Sequence, residues 1–205
     1  GPGHSHQSVR DISTLSSIPD LLMIQPSTEH EVSLALDYCV NNNQGSSYIR
    51  LVSIPTPVPF SLMNEYKLEK GKGTTIVDGK DCLVFSYGPT MLTEAYNAAK
   101  TLSDRGIGIK LINLPWLNHI DLNWLKSQIS DFNKIVTIDD HYIVGGQGDM
   151  ILSAISTINN TYPMQCLKIG VASIPECGTD DEVLAAHGLD SESLSVKIES
   201  FMNSR

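Results

Sequence analysis

Short apolar runs alternate with longer stretches of helical periodicity, and this alternation most constrains the fold of the 205-residue chain. Residues 82–85 and 135–138 are too short for helices and mostly apolar, as expected for strands buried on both faces. Residues 89–105 instead place apolar side chains along one helical face. Regular alternation of this kind predicts an α/β fold, a doubly wound and mostly parallel sheet with helices on both faces.

The predicted elements divide into a full set and a partial set. Strands are predicted at 82–85, 107–113, 135–138 and 166–169, with helices at 89–105, 122–129, 150–158, 180–187 and 191–202. Before them the pattern predicts strands at 21–24 and 48–51 and helices at 8–16 and 29–40, the latter opened by a capping box at Thr28 and Glu31. A second capping box, Thr179 with Glu182, opens the helix at 180–187.

These sets predict the domain organisation. Residues 75–205 are expected to form one complete domain. Residues 1–51 supply too few strands for an independent open sheet, so we interpret them as the C-terminal piece of a second α/β domain. Residues 52–74 contain alternating prolines and polar turn residues, which favour a linker with a short β excursion.

Composition excludes some classes of protein. The net charge of −9 disfavours binding to nucleic acid and to anionic membranes. No apolar run approaches the roughly 20 residues needed to span a bilayer, and no leader pattern is visible. Four widely spaced cysteines without a C-x-x-C pair indicate a reduced, cytoplasmic setting, and three of them lie in apolar strings that predict core positions.

Two segments next to predicted strands leave alternatives open. The loop at 145–148, rich in glycine, either approaches a phosphate or makes a tight turn with close helix–sheet packing, and it lacks both the G-x-G-x-x-G and P-loop patterns. Asp139, Asp140 and His141 follow the carboxyl end of a strand, where open α/β sheets bind ligands. They suit either metal or acid–base chemistry, or helix capping with an interface hydrogen bond, and no further metal ligand is identifiable.

Three basic side chains are candidate site residues. His4 and His6 form a pair near a helix start, a spacing unusual for a metal site but suitable for proton transfer or oxyanion stabilisation. Arg50 ends an apolar strand and needs a partner, either an anionic substrate group or a carboxylate across an interface.

The order and spacing of several motifs along nearly the whole chain resemble the C-terminal part of transketolases. The matching segments are 5–12, 17–20, 24–27, 85–88, 94–99, 137–141, 145–146, 178–184 and 187–190. They correspond to the end of the pyrimidine-binding domain followed by the transketolase C-terminal domain. 1-Deoxyxylulose-5-phosphate synthases and pyruvate dehydrogenase beta subunits share this layout.

The resemblance implies a part of an enzyme that uses thiamine diphosphate and Mg²⁺ at a dimer interface. The diphosphate-binding domain and the activating glutamate are expected upstream of Gly1 or on a separate polypeptide, so this chain alone is expected to be inactive and to bind no cofactor. The implied partners are a second copy or an N-terminal transketolase section, and a small phosphorylated sugar or 2-oxo acid. The implied reaction moves a two-carbon ketol unit between sugar phosphates. A 1-deoxyxylulose-5-phosphate synthase, a 2-oxo acid dehydrogenase beta subunit and a non-catalytic dimerisation module are the alternatives.

Two residues take roles from the resemblance. His6 matches the catalytic histidine that points at the reactive carbon of the cofactor and binds substrate oxygens, which is oxyanion-type stabilisation. Arg50 matches the arginine that reaches a sugar phosphate. His4 is a further substrate-binding candidate. This chain has Gly3-His4 where many members of the family have Gly-Pro-Thr. The C-terminal domain is expected to contribute dimer contacts and support, with Asp140 and His141 in structural roles.

Overall fold

The computed structural model describes residues 9–53, 56–63, 65–158 and 163–204. The strands are β1 (Leu22–Ile24), β2 (Ser47–Ile49), β3 (Thr74–Val77), β4 (Cys82–Ser86), β5 (Ile109–Asn113), β6 (Lys134–Tyr142) and β7 (Gln165–Val171). The α-helices are α1 (Asp11–Leu15), α2 (Glu29–Asp37), α3 (Pro89–Asp104), α4 (Leu122–Ile129), α5 (Gln147–Thr157), α6 (Asp180–His187) and α7 (Ser191–Asn203). A π-helical turn at Tyr38–Asn42 extends α2.

The larger sheet has five strands in the order β3-β5-β4-β6-β7. Strand β4 pairs in parallel with β5 and β6, and β6 pairs in parallel with β7. These are the four strands predicted from residue 82 onward, so the mostly parallel α/β fold is confirmed. Strand β3 is antiparallel to β5 and was not predicted as a strand of this sheet. It begins at Thr74, inside the segment interpreted as linker.

The two faces of the sheet carry separate cores because successive side chains of a buried strand point in opposite directions. Cys82 and Val84 of β4 pack with α3 and α7. Leu83 and Phe85 pack with α4 and α5 on the other face. The helices therefore cover both faces, as a doubly wound sheet requires.

The N-terminal piece, residues 9–51, packs directly on the larger sheet. Its two strands form a parallel pair of their own. Leu22 and Ile24 of β1 nevertheless lie in the same core as Phe85, and the Leu117 amide donates to the Met23 carbonyl oxygen at 2.9 Å. The piece therefore shares its core with the larger sheet.

Capping residues set the ends of two helices. The predicted box of Thr179 and Glu182 is complete, and α6 ends at Gly188, whose φ of +62° suits a residue without a Cβ. At α2 only half of the predicted box forms, because Thr28 accepts from the Glu31 amide while the Glu31 carboxylate binds Ser27 instead.

The cysteine prediction was partly wrong. Cys82 is buried, but Cys39 is half-buried, and Cys166 and Cys177 are exposed. Cys166 lies near the start of the edge strand β7, where the apolar run is only partly covered. All four thiols are free. Within the described residues, no helix combines the length and apolar character needed to cross a membrane.

Candidate functional site

The carboxyl ends of β4 and β6 form the point where the strand order reverses, and open α/β sheets usually bind ligands in the crevice there. In this chain the N-terminal piece fills that crevice. The N-terminal piece lies so close to the sheet that a Cβ added to Gly88 would be 2.4 Å from Nε2 of Gln25. We call this polar contact the seam. It is formed by Asp11, Gln25, Tyr48 and Arg50 from the N-terminal piece and by Tyr87, Asp139, Asp140 and His141 from the sheet.

Arg50 lies at the centre of the seam. Its Nε donates to Oδ2 of Asp11 at 2.8 Å, and its Nη1 donates to Oε1 of Gln25 at 2.7 Å. Nη1 also pairs with the carboxylate of Asp140, on the sheet side. Of the two partners that the sequence left open for Arg50, the structure shows the carboxylates, and both belong to this chain. Contact with a substrate phosphate stays a prediction.

The electrostatics of the seam hold Arg50 in its charged form. Burial alone lowers the pKa of the guanidinium, but the neighbouring Asp140, Tyr87 and Asp11 raise it more, so the net pKa lies above the ordinary value. Two carboxylates thus hold one guanidinium, and its Nε and Nη1 are already engaged within this chain. A cavity of about 490 Å³ opens beside Arg50, and Oδ1 of Asp11 is buried there without a hydrogen-bond partner among the described residues.

Asp139 caps helix α5 from the end of β6. Its carboxylate accepts hydrogen bonds from the amides of Gln147 (2.9 Å) and Gly148 (3.0 Å) and from the Tyr87 hydroxyl (2.9 Å). Burial raises the pKa of Asp139 to about 6, although these three donors act in the opposite direction. This is the helix-capping alternative that the sequence left open for the Asp-Asp-His segment.

The structure of the glycine-rich loop at 145–148 agrees with the second of its two interpretations, a tight turn with close helix–sheet packing. The first amides of α5, which a phosphate would need, already donate to Asp139. A Cβ on Gly148 would lie 2.4 Å from Oγ1 of Thr137, and one on Gly145, where φ is +79°, would lie 2.5 Å from Cβ of Ser13. The glycines are therefore needed because β6 and α1 approach the loop closely.

His141 is fully buried and is held by backbone groups on both sides. Its Nδ1 lies 2.7 Å from the carbonyl oxygen of Tyr142, and its Nε2 lies 3.3 Å from the amide nitrogen of Ser13. These partners specify the neutral tautomer, in which Nδ1 donates and Nε2 accepts. His141 therefore makes the interface hydrogen bond, and it is not placed as a metal ligand.

A second polar cluster, centred on Glu31, was missed by the sequence reasoning. The fully buried carboxylate accepts from the Tyr66 hydroxyl at 2.7 Å, the Ser27 amide at 2.7 Å and Nδ2 of Asn113 at 3.0 Å. Burial, and then Glu31 itself, raise the pKa of Tyr66, which keeps that hydroxyl a donor. One carboxylate thus joins α2, the segment before β3 and the end of β5. The only sequence signal was Glu31 in a capping position.

Of the three predicted site residues, Arg50 lies in the seam, whereas His4 and His6 lie outside the described residues. Where the structure describes the chain, no three His, Cys, Asp or Glu side chains come together to hold a metal ion. The first amides of α5 are occupied by Asp139, so that helix end does not fit a diphosphate.

Comparison with known proteins identifies the family. Residues 71–194 match the model of the transketolase C-terminal domain. The chain belongs to the transketolase C-terminal domain family. A protein of Methanocaldococcus jannaschii, provisionally named a transketolase C-terminal section, is 30% identical over 96% of this chain and 60% of its own length. A 1-deoxy-D-xylulose-5-phosphate synthase of Halothermothrix orenii is 28% identical over 85% of this chain and 26% of its own length.

The fold has counterparts among solved structures. A structure described as a split gene transketolase, an inactive beta4 tetramer, superposes with a TM-score of 0.82 at 24% identity. The alignment covers 96% of this chain and 62% of that one. The fold of this chain is therefore shared with that structure. This chain spans less than two thirds of the length of these relatives.

Proposed function

We propose that this chain is the C-terminal section of a transketolase-like transferase, which moves a two-carbon ketol unit between sugar phosphates with the help of thiamine diphosphate. The observation that carries the proposal is the match, over 96% of this chain, to a relative provisionally named a transketolase C-terminal section. We divide the chain into the end of a pyrimidine-binding domain (1–51), a linker (52–74) and the C-terminal domain (75–205).

The cofactor and its metal belong, in this proposal, to a partner N-terminal section. The described residues offer neither three clustered metal ligands nor free amides at α5 for a diphosphate. When bound there, thiamine diphosphate supplies carbanion stabilisation. This chain would supply groups that hold the substrate, and we expect it to be inactive without the N-terminal section or a dimeric partner.

The predicted substrate contacts are His6, His4 and Arg50. His6 is proposed to stabilise developing negative charge on a substrate oxygen, with His4 beside it. Arg50 is proposed to reach a sugar phosphate through Nη2, whose described bond to the Asp140 carbonyl is long, at 3.4 Å. That contact would leave the shorter bonds of Nε and Nη1 in place.

The test is reconstitution with the N-terminal section. We expect transfer from a ketose phosphate that depends on thiamine diphosphate, and His6→Ala should lower kcat by about 10² to 10³, as for removal of one oxyanion donor. Arg50→Lys should raise KM for a phosphorylated donor more than for an unphosphorylated ketose. An assembled protein that binds the cofactor but turns over neither a ketose nor a 2-oxo acid would rule the proposal out.

Two other functions remain to be separated by the same reconstitution. The similarity to 1-deoxy-D-xylulose-5-phosphate synthases supports a synthase as the second candidate. A 2-oxo acid dehydrogenase beta subunit is grouped with it because the sequence motifs resemble both. Preference for a 2-oxo acid donor over a ketose phosphate would select it. A non-catalytic dimerisation module would instead dimerise and give no turnover under any condition, and micromolar binding of thiamine diphosphate to the chain alone would exclude that module.

A further inference from the structure

Three consecutive residues at the end of β6 hold the N-terminal piece, and we call Asp140, His141 and Tyr142 the β6 clamp. The Tyr142 amide donates to the carbonyl oxygen of Val9 at 2.7 Å. Nε2 of His141 accepts from the Ser13 amide, and the Asp140 carboxylate pairs with Arg50. The clamp therefore contacts both the start of α1 and the end of β2.

His141 acts as the N-terminal cap of α1. The first four amides of an α-helix have no acceptor within the helix, and Ser13 carries the third of these. The residue in the capping position, Arg10, makes no side-chain cap hydrogen bond. Because Nδ1 of His141 is committed to the Tyr142 carbonyl, Nε2 is fixed as the acceptor that α1 lacks.

Asp140 reaches α1 by a second route, through the guanidinium of Arg50. Nη1 of Arg50 pairs with Asp140 while Nε donates to Asp11, the first residue of α1. The guanidinium is planar and rigid, so fixing one nitrogen orients the other. The Tyr48 hydroxyl also donates to Asp11, at 2.9 Å, which ties the same carboxylate to β2.

The clamp itself is rigid because its neighbours anchor it to the sheet. Asp139, directly before it, accepts two amides of α5 and the Tyr87 hydroxyl. Strand β7 leaves no space behind it, since a Cβ on Gly170 would lie 2.9 Å from the carbonyl oxygen of His141. If the N-terminal piece moved at this point, its hydrogen bonds to the clamp would therefore break while the clamp stayed in place on the sheet.

We propose that Asp140 and His141 are positioning residues, by which the C-terminal domain fixes Arg50 and the start of α1 for the reaction. This inference rests on the proposed function. Val9 and Ser13 follow His6 by three and seven positions in the sequence. The C-terminal domain would thus act on the reaction without touching the substrate, by holding the elements that carry or directly follow the predicted contacts.

The first test uses the chain alone and measures hydrogen–deuterium exchange. Asp140→Asn removes the charge that binds Arg50. His141→Asn keeps a donor near the Nδ1 position but loses the acceptor for Ser13, whereas His141→Gln restores an acceptor near Nε2. We expect the first two variants to speed amide exchange about tenfold in residues 9–15 and 47–50, because a charge-assisted or capping bond is lost. His141→Gln should remain within about twofold of the wild type.

A matched control is Glu199→Gln, which removes the charge from an ion pair with Arg105 that lies wholly within the C-terminal domain, at 2.6 Å. It should leave exchange in residues 9–15 unchanged. The proposal is overturned if Asp140→Asn and His141→Asn leave those rates unchanged, or if they speed exchange equally in β4 and β5, since the effect would then be global.

The second test uses the enzyme reconstituted with its N-terminal section, with rates counted per bound cofactor. Asp140→Asn should raise KM for a phosphorylated donor about tenfold through Arg50, while His141→Asn should lower kcat about tenfold through α1. A purely structural role would lower the melting temperature and leave both constants unchanged, which would overturn the proposal. An inactive wild type would instead count against the proposed function, and the exchange experiment would still decide the clamp.

Discussion

Removing the Tyr66 hydroxyl should destabilise the chain, because that hydroxyl is one of the donors that make the buried Glu31 carboxylate tolerable. The bond to Oε1 of Glu31 is 2.7 Å long, and Glu31 is fully buried. In Tyr66→Phe the ring keeps its packing, but Oε1 retains only Nδ2 of Asn113, at 3.0 Å. A buried carboxylate that loses a donor loses part of what offsets its desolvation.

The magnitude follows from the kind of bond. Hydrogen bonds to charged groups contribute about 1.5–3 kcal/mol, and Oε1 keeps one partner, so we expect a loss of about 2 kcal/mol in the free energy of unfolding. For a chain of this size that corresponds to a fall in Tm of about 4–8 °C.

Urea denaturation at neutral pH, followed by circular dichroism, measures this loss. A single transition is expected, since β1 and the larger sheet share one core. Tyr96→Phe is the matched control, because Tyr96 packs on Phe60 and Lys100 and its hydroxyl has no bond recorded in the described part of the chain. A change below about 0.5 kcal/mol in Tyr66→Phe, or an equal change in Tyr96→Phe, would refute the role given to Glu31.

Three further predictions concern the C-terminal domain. Because burial raises the pKa of Asp139 from 3.8 to about 6, its contribution to stability is fully present below pH 4 and is lost as the pH rises through 6. That loss of stability is about 3 kcal/mol at 1.36 kcal/mol per pKa unit. Urea denaturation compared from pH 4 to 7 should show the loss in the wild type and not in Asp139→Asn. The same pH dependence in both proteins would contradict the role given to Asp139. Gly148→Ala places a Cβ 2.4 Å from Oγ1 of Thr137 and should lower the free energy of unfolding by about 1–3 kcal/mol; an unchanged Tm would show that the helix can shift. Thr179→Ala removes the cap of α6 and should lower the free energy of unfolding by about 1 kcal/mol. A loss well below 0.5 kcal/mol in calorimetry would count against the capping box of Thr179 and Glu182.

The elements that sequence periodicity predicted best are helices whose signals, an apolar face and a capping residue, lie within their own segment. Helix α4 has the predicted bounds, 122–129, and α7 ends one residue beyond the prediction. Strand β3 was missed because Thr74 and Thr75 carry little apolar signal, and the strand exists through pairing with β5, more than thirty residues later in the sequence. Edge strands of this kind are specified by their neighbour and not by their own pattern.

The candidate site was less predictable, because its contacts join distant parts of the sequence. Arg50 was identified as a residue that needs a partner, but Asp140 lies 90 positions away, and no local pattern pairs them. Glu31 was assigned to a capping box, and its partners Tyr66 and Asn113 lie 35 and 82 positions away. A local pattern shows that a charge is present in an apolar stretch; only the tertiary fold shows what neutralises it.

The central claim is that this chain holds one part of an active site whose cofactor-binding part lies elsewhere. Its most direct test is titration calorimetry of thiamine diphosphate with Mg²⁺ into this chain, into the N-terminal section, and into an equimolar mixture, with turnover of a ketose phosphate followed on the same samples. The account predicts no binding to this chain alone, and both tight binding and turnover in the mixture. Turnover by this chain alone, or a mixture that binds the cofactor and turns over neither a ketose phosphate nor a 2-oxo acid, would contradict it.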